Sequence, residues 1–258
     1  MKRYKRFIFS VIALVLLIAG FLWARGQYVV PIIMYHNVDN NSEISCLSVS
    51  PASFERQMRF LKDNGYNVVR LEDLPDIMKK EEARGKTIAI TFDDGFENNY
   101  TSAYPVLKKL GLPATIFIVP GFIGRKDYLT WDQVIEMSES GVISIGSHSM
   151  NHAYLSGFTG EDLEMEIAGS KRVIENHIGK NIYSFSYPIG AFNDEAKDSV
   201  KRAGYKIAVA TNPGKKYPKH DLLAMKRLRI SKTSDRLLVF WIETSGFYTW
   251  IKEHRDED

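Results

Sequence analysis

The chain is short of cysteine, and that scarcity narrows it first. Cys46 stands alone among 258 residues, so no disulfide closes within the chain and stability must come from a core. Nothing around Cys46 supplies an activating base, which leaves it a small, half-buried packing residue rather than a nucleophile. Acidic residues are missing before Asp39, while Lys2, Arg3, Lys5 and Arg6 crowd the start; setting those four aside turns the formal net charge of +3 into −1. The rest is nearly neutral and has no basic stripe, which argues against nucleic acid as a partner. A glycine-rich dinucleotide fingerprint, internal repeats and low-complexity stretches are also absent. With 45% apolar residues, 9 prolines and 18 glycines, the composition is that of a globular protein with a substantial core.

One long apolar run is present. Phe7 to Ala24 is 18 residues without a charge, just enough to cross a bilayer as a helix, and basic residues flank it on both sides. A buried core helix would show a polar face, and this run has none. A processing site wants small residues where Leu22-Trp23-Ala24 places a bulky Leu. The sequence therefore predicts an uncleaved single-pass anchor over residues 1–25 and one domain over 26–258. The basic tip stays in the cytoplasm, so the domain lies on the extracytoplasmic side of the cell membrane.

Beyond the anchor, strand-like and helix-like segments alternate. Tyr28–Tyr35, Asn67–Val69, Thr87–Ile90, Ala114–Val119, Val142–Ile145, Ile182–Tyr187, Ile207–Ala210 and Leu228–Ile230 are extended. Between them, Ser50 caps a helix opened by Pro51. Further helices cover Leu71–Lys80, Tyr104–Leu110, Trp131–Ser140, Glu161–Ile178, Asp194–Ala203 and Leu237–Ile242. Such alternation predicts an α/β fold with a parallel sheet, and about seven units suit a barrel, closed or incomplete, in one domain.

In such a barrel chemistry gathers at the C-terminal ends of the strands. Four strand ends carry polar residues: His36; Asp93-Asp94-Gly95; Ser147-His148 with His152 a short turn later; and Pro188-Ile189-Gly190. Two imidazoles and one carboxylate suit a divalent metal and leave positions open for water and substrate. Successive side chains on an extended segment point opposite ways, so one aspartate of the pair would bind metal and the other accept a proton. Each feature has a plainer reading, since Asp-Gly is a common turn dipeptide and a strand-end histidine is usually structural. Their convergence on one barrel mouth is what favours metal-assisted hydrolysis. His177, His220 and His254 lie in polar surroundings and read as solvated. Phe122, Tyr128, Trp131 and Phe192 are aromatic candidates for lining a substrate cleft, or for ordinary packing.

Thr91-Phe92-Asp93-Asp94-Gly95 and His148-Ser149-Met150-Asn151-His152 resemble the first two signature motifs of the polysaccharide deacetylases, carbohydrate esterase family 4, in the expected order. The resemblance runs from about Val30 to Ile230. It implies a distorted (β/α)₇ barrel that hydrolyses N-acetyl groups on amino sugars with a divalent ion, zinc by preference. By motif position Asp93 would be the base, and Asp94, His148 and His152 the metal ligands. The amide of Ile189, in Ser186-Tyr187-Pro188-Ile189-Gly190, would help hold the oxyanion. Two departures stand out. Ser186 occupies the place of an Arg that orients the base, and no Leu-x-His motif follows near Leu228–Ser231. Pro31-Ile32-Ile33-Met34-Tyr35-His36 resembles the opening strand of a circularly permuted subgroup, the exported poly-N-acetylglucosamine deacetylases. There an N-terminal histidine supplies the acid, which makes His36 the candidate.

The expected function is metal-dependent removal of N-acetyl groups from an N-acetylglucosamine-containing cell-surface or cell-wall polysaccharide. Three rivals accompany it: a hydrolase of the same fold acting on another acetylated substrate such as xylan, an inactive glycan-binding module, and a two-His-one-carboxylate iron oxygenase. The intact Asp93, Asp94, His148 and His152 speak against the second. The strand–helix alternation speaks against the third, whose chemistry sits on a jelly roll.

Overall fold

Strands made of continuous apolar residues, buried on both faces, run in parallel through the molecule. Thr87–Phe92 and Ala114–Ile118 are buried at every position, the pattern of a parallel sheet covered on both sides. The computed structural model describes residues 2–26, 28–40, 47–79, 85–211, 213, 216–217 and 220–248. In chain order, α1 (Lys2–Gly26) precedes β1 (Ile32–Tyr35), β2 (Asn37–Val38), β3 (Ser48–Val49), α2 (Pro51–Asp63), β4 (Asn67–Val69) and α3 (Leu74–Ile77). Then come β5 (Thr87–Phe92), α4 (Tyr104–Leu110), β6 (Ala114–Ile118), α5 (Trp131–Glu139) and β7 (Ile143–Ser147). The chain continues through α6 (Gly160–Glu164), α7 (Ser170–Ile178), β8 (Ser184–Ser186), α8 (Asp194–Arg202), β9 (Ile207–Ala210), β10 (Met225–Lys226), β11 (Leu228–Arg229) and α9 (Leu237–Glu243).

The sheet runs β10-β9-β8-β7-β6-β5-β1-β11, with β4 beside β5, and all its pairings are parallel. Its two ends are consecutive in the chain. Met225 and Lys226 pair with Val209 and Ala210, Leu228 and Arg229 pair with Ile33 and Met34, and only Arg227 separates them. The result is a nearly closed, barrel-like α/β sheet in one domain, as the alternation predicted. β1 lies between β5 and β11, so His36 emerges next to Asp93, whose amide donates to the Tyr35 carbonyl at 3.0 Å.

Alternation along each strand sorts the side chains. Ile32, Ala89, Phe117, Ile207, Val209 and Met225 form one buried cluster, while Ile33, Ile88, Ile90, Phe92, Ile116 and Ala208 pack against the surrounding helices. Ser50 caps α2 as expected, its hydroxyl accepting from the Ser53 amide at 3.2 Å. Gly146 in β7 is required by close approach. A Cβ there would sit 2.5 Å from Cδ1 of Phe117 and 3.0 Å from the Ser184 carbonyl oxygen. Gly146→Ala should therefore destabilise the fold by about 1–3 kcal/mol. Thermal denaturation should show this as a fall of roughly 2–12 °C.

Several expectations are corrected. Residues 28–31 precede the first strand instead of forming part of it. The helix read over Glu161–Ile178 is interrupted by a π-turn at Met165–Gly169, and another, Asn99–Ala103, opens α4. Neither leaves an apolar signature, because one extra residue per turn hardly changes which face is buried. β2, β3 and β10, each two residues long, were too short to show a periodicity. The described side chains of α1 from Phe7 to Trp23 are mostly exposed. Among the described residues no helix is long and apolar enough to cross a membrane, so the expected spanning segment is not borne out. The side chains of Lys2, Arg3, Lys5, Arg6 and Ala24 lie outside the described residues, as do Cys46 and His254.

Candidate active site

Two strand ends converge on one group of ligand atoms. Asp94 follows β5, and His148 and His152 follow β7; one ligand atom from each lies within 4.8 Å of the others. Asp94 Oδ1 is 3.6 Å from His148 Nε2 and 3.4 Å from His152 Nε2. Tetrahedral coordination with bonds of about 2.1 Å places neighbouring ligands about 3.4 Å apart, so these spacings fit a shared ion. The buried His148 ring donates from Nδ1 to the Ser186 carbonyl at 2.7 Å. That bond fixes the tautomer and leaves the Nε2 lone pair facing Asp94, the usual outer support of a metal-ligating imidazole. Burial pushes the His148 pKa down to about 4, against the opposing pull of Asp93, so the ring is neutral and free to ligate. Burial also lowers His152. Asp94 moves the other way: burial first, then the neighbouring Asp93 charge, raise its carboxyl to about 7.

Asp93 is engaged differently. Arg227, buried between β10 and β11, forks onto it: Nη1 donates to Oδ1 at 2.6 Å and Nη2 to Oδ2 at 2.5 Å. The same guanidinium donates to Ser186 Oγ at 2.9 Å and Thr91 Oγ1 at 3.2 Å. Burial alone would raise the Asp93 pKa, but Arg227 and the imidazoles of His148 and His36 outweigh it and hold the carboxyl well below the usual range. Both Asp93 oxygens face the guanidinium, which leaves Asp94 as the aspartate free to ligate. The missing third-motif Arg thus has a replacement from the last strand, and the small Ser186 side chain makes hydrogen-bonding room for it. Arg227 was not read as functional in the sequence.

His36 sits at the end of β1, half-buried. Its carbonyl accepts from Asn99 Nδ2 at 2.8 Å, and its Nδ1 has no hydrogen-bond partner among the described residues. Burial lowers its pKa, partly opposed by Asp93 and reinforced by Arg227, Arg229 and His152. His36 and Asp94 line one end of a cleft of about 550 Å³ that continues past Phe96, Glu97 and Asp127. Ile189 has its side chain 66% exposed and a backbone φ of 52°. A β-branched residue in the left-handed region costs of order 1–3 kcal/mol, so the backbone at this position, not the side chain, is what the fold holds in place. Among the described residues, four of the six non-glycine residues with positive φ (Asp94, Ser149, His152 and Ile189) belong to these loops.

The aromatic candidates divide. Phe122 and Tyr128 meet edge to face at 5.1 Å, Tyr128 stacks on Phe96, and Phe122 lies 6.4 Å from the His152 ring, so they wall the site. Phe192 stacks between Tyr187 and Tyr217. Trp131 instead stacks on His177 at 3.7 Å and packs α5 against α7. His177 and His220 are both exposed, as expected, although the His177 ring covers Trp131.

Residues 80–208 match the family described as polysaccharide deacetylase. Bacillus subtilis YxkH, assigned to that family, is 37% identical over 202 residues, spanning 78% of this chain and 71% of its own. The crystal structure of BC0361, a polysaccharide deacetylase from Bacillus cereus, superposes with a TM-score of 0.74 at 36% identity, covering 83% of this chain and 68% of that one. A Staphylococcus aureus poly-β-1,6-N-acetyl-D-glucosamine N-deacetylase is 26% identical over 223 residues, 81% of this chain and 76% of its own. With its first two motifs folded into one site and these likenesses over most of its length, the chain belongs to the polysaccharide deacetylase family.

Proposed function

We propose that this deacetylase is a metal-dependent hydrolase that removes N-acetyl groups from an N-acetylglucosamine-containing polysaccharide. One observation carries the reading: Asp94, His148 and His152 gather their ligand atoms while Asp93, held apart by Arg227, is left to act on a proton. Asp94, His148 and His152 would hold a divalent ion, zinc suiting two neutral imidazoles and a carboxylate. When bound it would polarise the acetamide carbonyl and acidify a water. Asp93 takes the proton of the attacking water, the Ile189 amide donates to the oxygen that gains charge, and His36 protonates the leaving amine. The lowered pKa of His36 makes its charged form the stronger acid toward that amine. Likeness to the staphylococcal enzyme supports the glycan chosen. The apolar run Phe7–Ala24 behind its basic cluster supports an extracytoplasmic location, which protease accessibility of the body on intact cells would test.

The deciding experiment is acetate release from N-acetylglucosamine oligomers, as purified, after chelation and after zinc return, alongside His36→Ala. Activity lost on chelation, restored by zinc and strongly reduced in His36→Ala supports the proposal. Zinc bound with no acetate released from any acetylated glycan, xylan included, would replace it with a glycan-binding module. A pH signature accompanies loading. Because the Asp94 carboxyl is raised to about 7, it is mostly protonated at pH 6 in the metal-free protein and must lose that proton to ligate. Zinc binding at pH 6 should release close to one proton from Asp94, and at pH 8.5 almost none. Apparent affinity should weaken by about tenfold per pH unit below 7. Calorimetry in buffers of different ionisation heat reads both.

A further inference from the structure

His148 is held by its strand and by the Ser186 carbonyl, whereas His152 lies on a loop and needs another support. Asn151, the residue before it, donates from its backbone amide to Oε2 of Glu166 at 3.0 Å and from Nδ2 to Oε1 at 2.8 Å. Both oxygens of one carboxylate thus close on one residue. The Met150 amide donates to the Glu166 carbonyl at 2.9 Å, and the Met150 carbonyl accepts from Gly121 at 2.9 Å. Gly121 must be glycine for this, since a Cβ would stand 2.6 Å from Asn151 Oδ1. Across His152, Ser149 Oγ accepts from the Ala153 amide at 3.1 Å. His152 itself has φ 58°.

Glu166 is 6% exposed and makes no ion pair among the described residues. A carboxylate buried without a cation is costly, so its hydrogen bonds must be what retains it. It lies in the π-turn Met165–Gly169, and a Cβ added at Gly169 would come within 3.5 Å of the Met150 methyl. The turn therefore fits closely against the ligand loop. π-turns often mark functional sites.

We propose that Glu166 is a positioning residue of the metal centre, setting where His152 stands by gripping Asn151, without touching the ion. This rests on the reading of Asp94, His148 and His152 as metal ligands. Glutamine at 166 can accept from only one of the two Asn151 donors and turns its own amide toward the other. Aspartate at 151 restores the match, because the glutamine then accepts from the backbone amide and donates to the new carboxylate.

The test measures the zinc Kd by chelator competition and the visible spectrum of the cobalt-loaded protein. It compares the parent with Glu166→Gln, Asn151→Asp, the double variant and His152→Ala. Each of the two single exchanges should weaken zinc by about 10–100-fold and alter the cobalt spectrum. The double variant should return to within a few-fold of the parent. Singles that bind like the parent, or a double no better than its singles, overturn the role. Should Glu166→Gln fail to fold, Asn151→Ala at an exposed position decides: several-fold weaker zinc supports the role and parental affinity overturns it. A parent that binds no zinc, or equally well after His152→Ala, overturns the metal centre itself. Zinc lost in His152→Ala but indifferent to residues 151 and 166 overturns only the positioning role.

Discussion

Asp93→Asn should lower kcat for acetate release by about 10²–10⁴-fold, the usual worth of a positioned base, while KM and zinc content change little. Asparagine keeps the shape of the side chain and still offers an oxygen to Arg227, but it no longer accepts a proton. The aspartates differ in what they face: Asp93 gives both oxygens to the guanidinium, and Asp94 Oδ1 sits within 3.6 Å of both imidazoles. Asp94→Asn should therefore lose zinc, and Asp93→Asn should not. If zinc leaves with Asp93→Asn, Asp93 is a ligand and the two roles are exchanged. There is also a pH consequence. Because Arg227 holds Asp93 well below the usual carboxylate range, it stays ionised wherever the protein is assayed. No acid limb between pH 5 and 9 should belong to Asp93, and the parent's profile should keep its shape across the rate loss.

Much of this site could be read from residues alone because strand periodicity and motif spacing report on local geometry. Thr87–Phe92 is a run of β-branched and apolar residues, and its end places Asp93 and Asp94 where a parallel sheet opens. The four-residue step from His148 to His152 likewise survives folding, since one tight loop spans it. Arg227 was hidden for a different reason. It lies 134 positions from Asp93, on a run that pairs two residues with β9 and the next two with β1. One of three basic residues in Lys226-Arg227-Leu228-Arg229, it looks like part of a solvated strand edge until the sheet curls round and buries it. The signal was indirect: Ser186 left a buried aspartate without its cation, and a buried carboxylate needs one. Glu166 was similarly masked, reading as one acidic residue on an amphipathic helix. Only the π-turn directs it at Asn151.

Arg227→Met should be the most destabilising single change at the site, costing about 3–5 kcal/mol, because it leaves Asp93 buried without its partner. That corresponds to roughly 6–20 °C of melting temperature. Its dependence on pH gives the assignment its edge. In the parent, Arg227 holds the folded Asp93 pKa below the unfolded value of about 3.9, so the stabilisation is present above pH 4 and is lost only as acid protonates the folded carboxyl. Without the guanidinium, burial dominates and the folded pKa rises above the unfolded one. Stability from that group is then full below about pH 4 and is lost as pH rises through the raised pKa. The deficit of Arg227→Met against the parent should accordingly shrink as pH falls from 7 to 5. Arg227→Lys should recover part of the stability, since it restores a charge, but little of kcat, since a point charge cannot hold both oxygens as the fork does. Asp93→Asn/Arg227→Met removes both charges and should be more stable than Arg227→Met alone, with a nearly flat dependence on pH. Thermal melts of the parent, Asp93→Asn, Arg227→Met and the double variant between pH 5 and 8 read the whole cycle, with Arg227→Lys measured alongside. A deficit in Arg227→Met that does not change with pH would show that Asp93 draws its support from the imidazoles and not from the last strand.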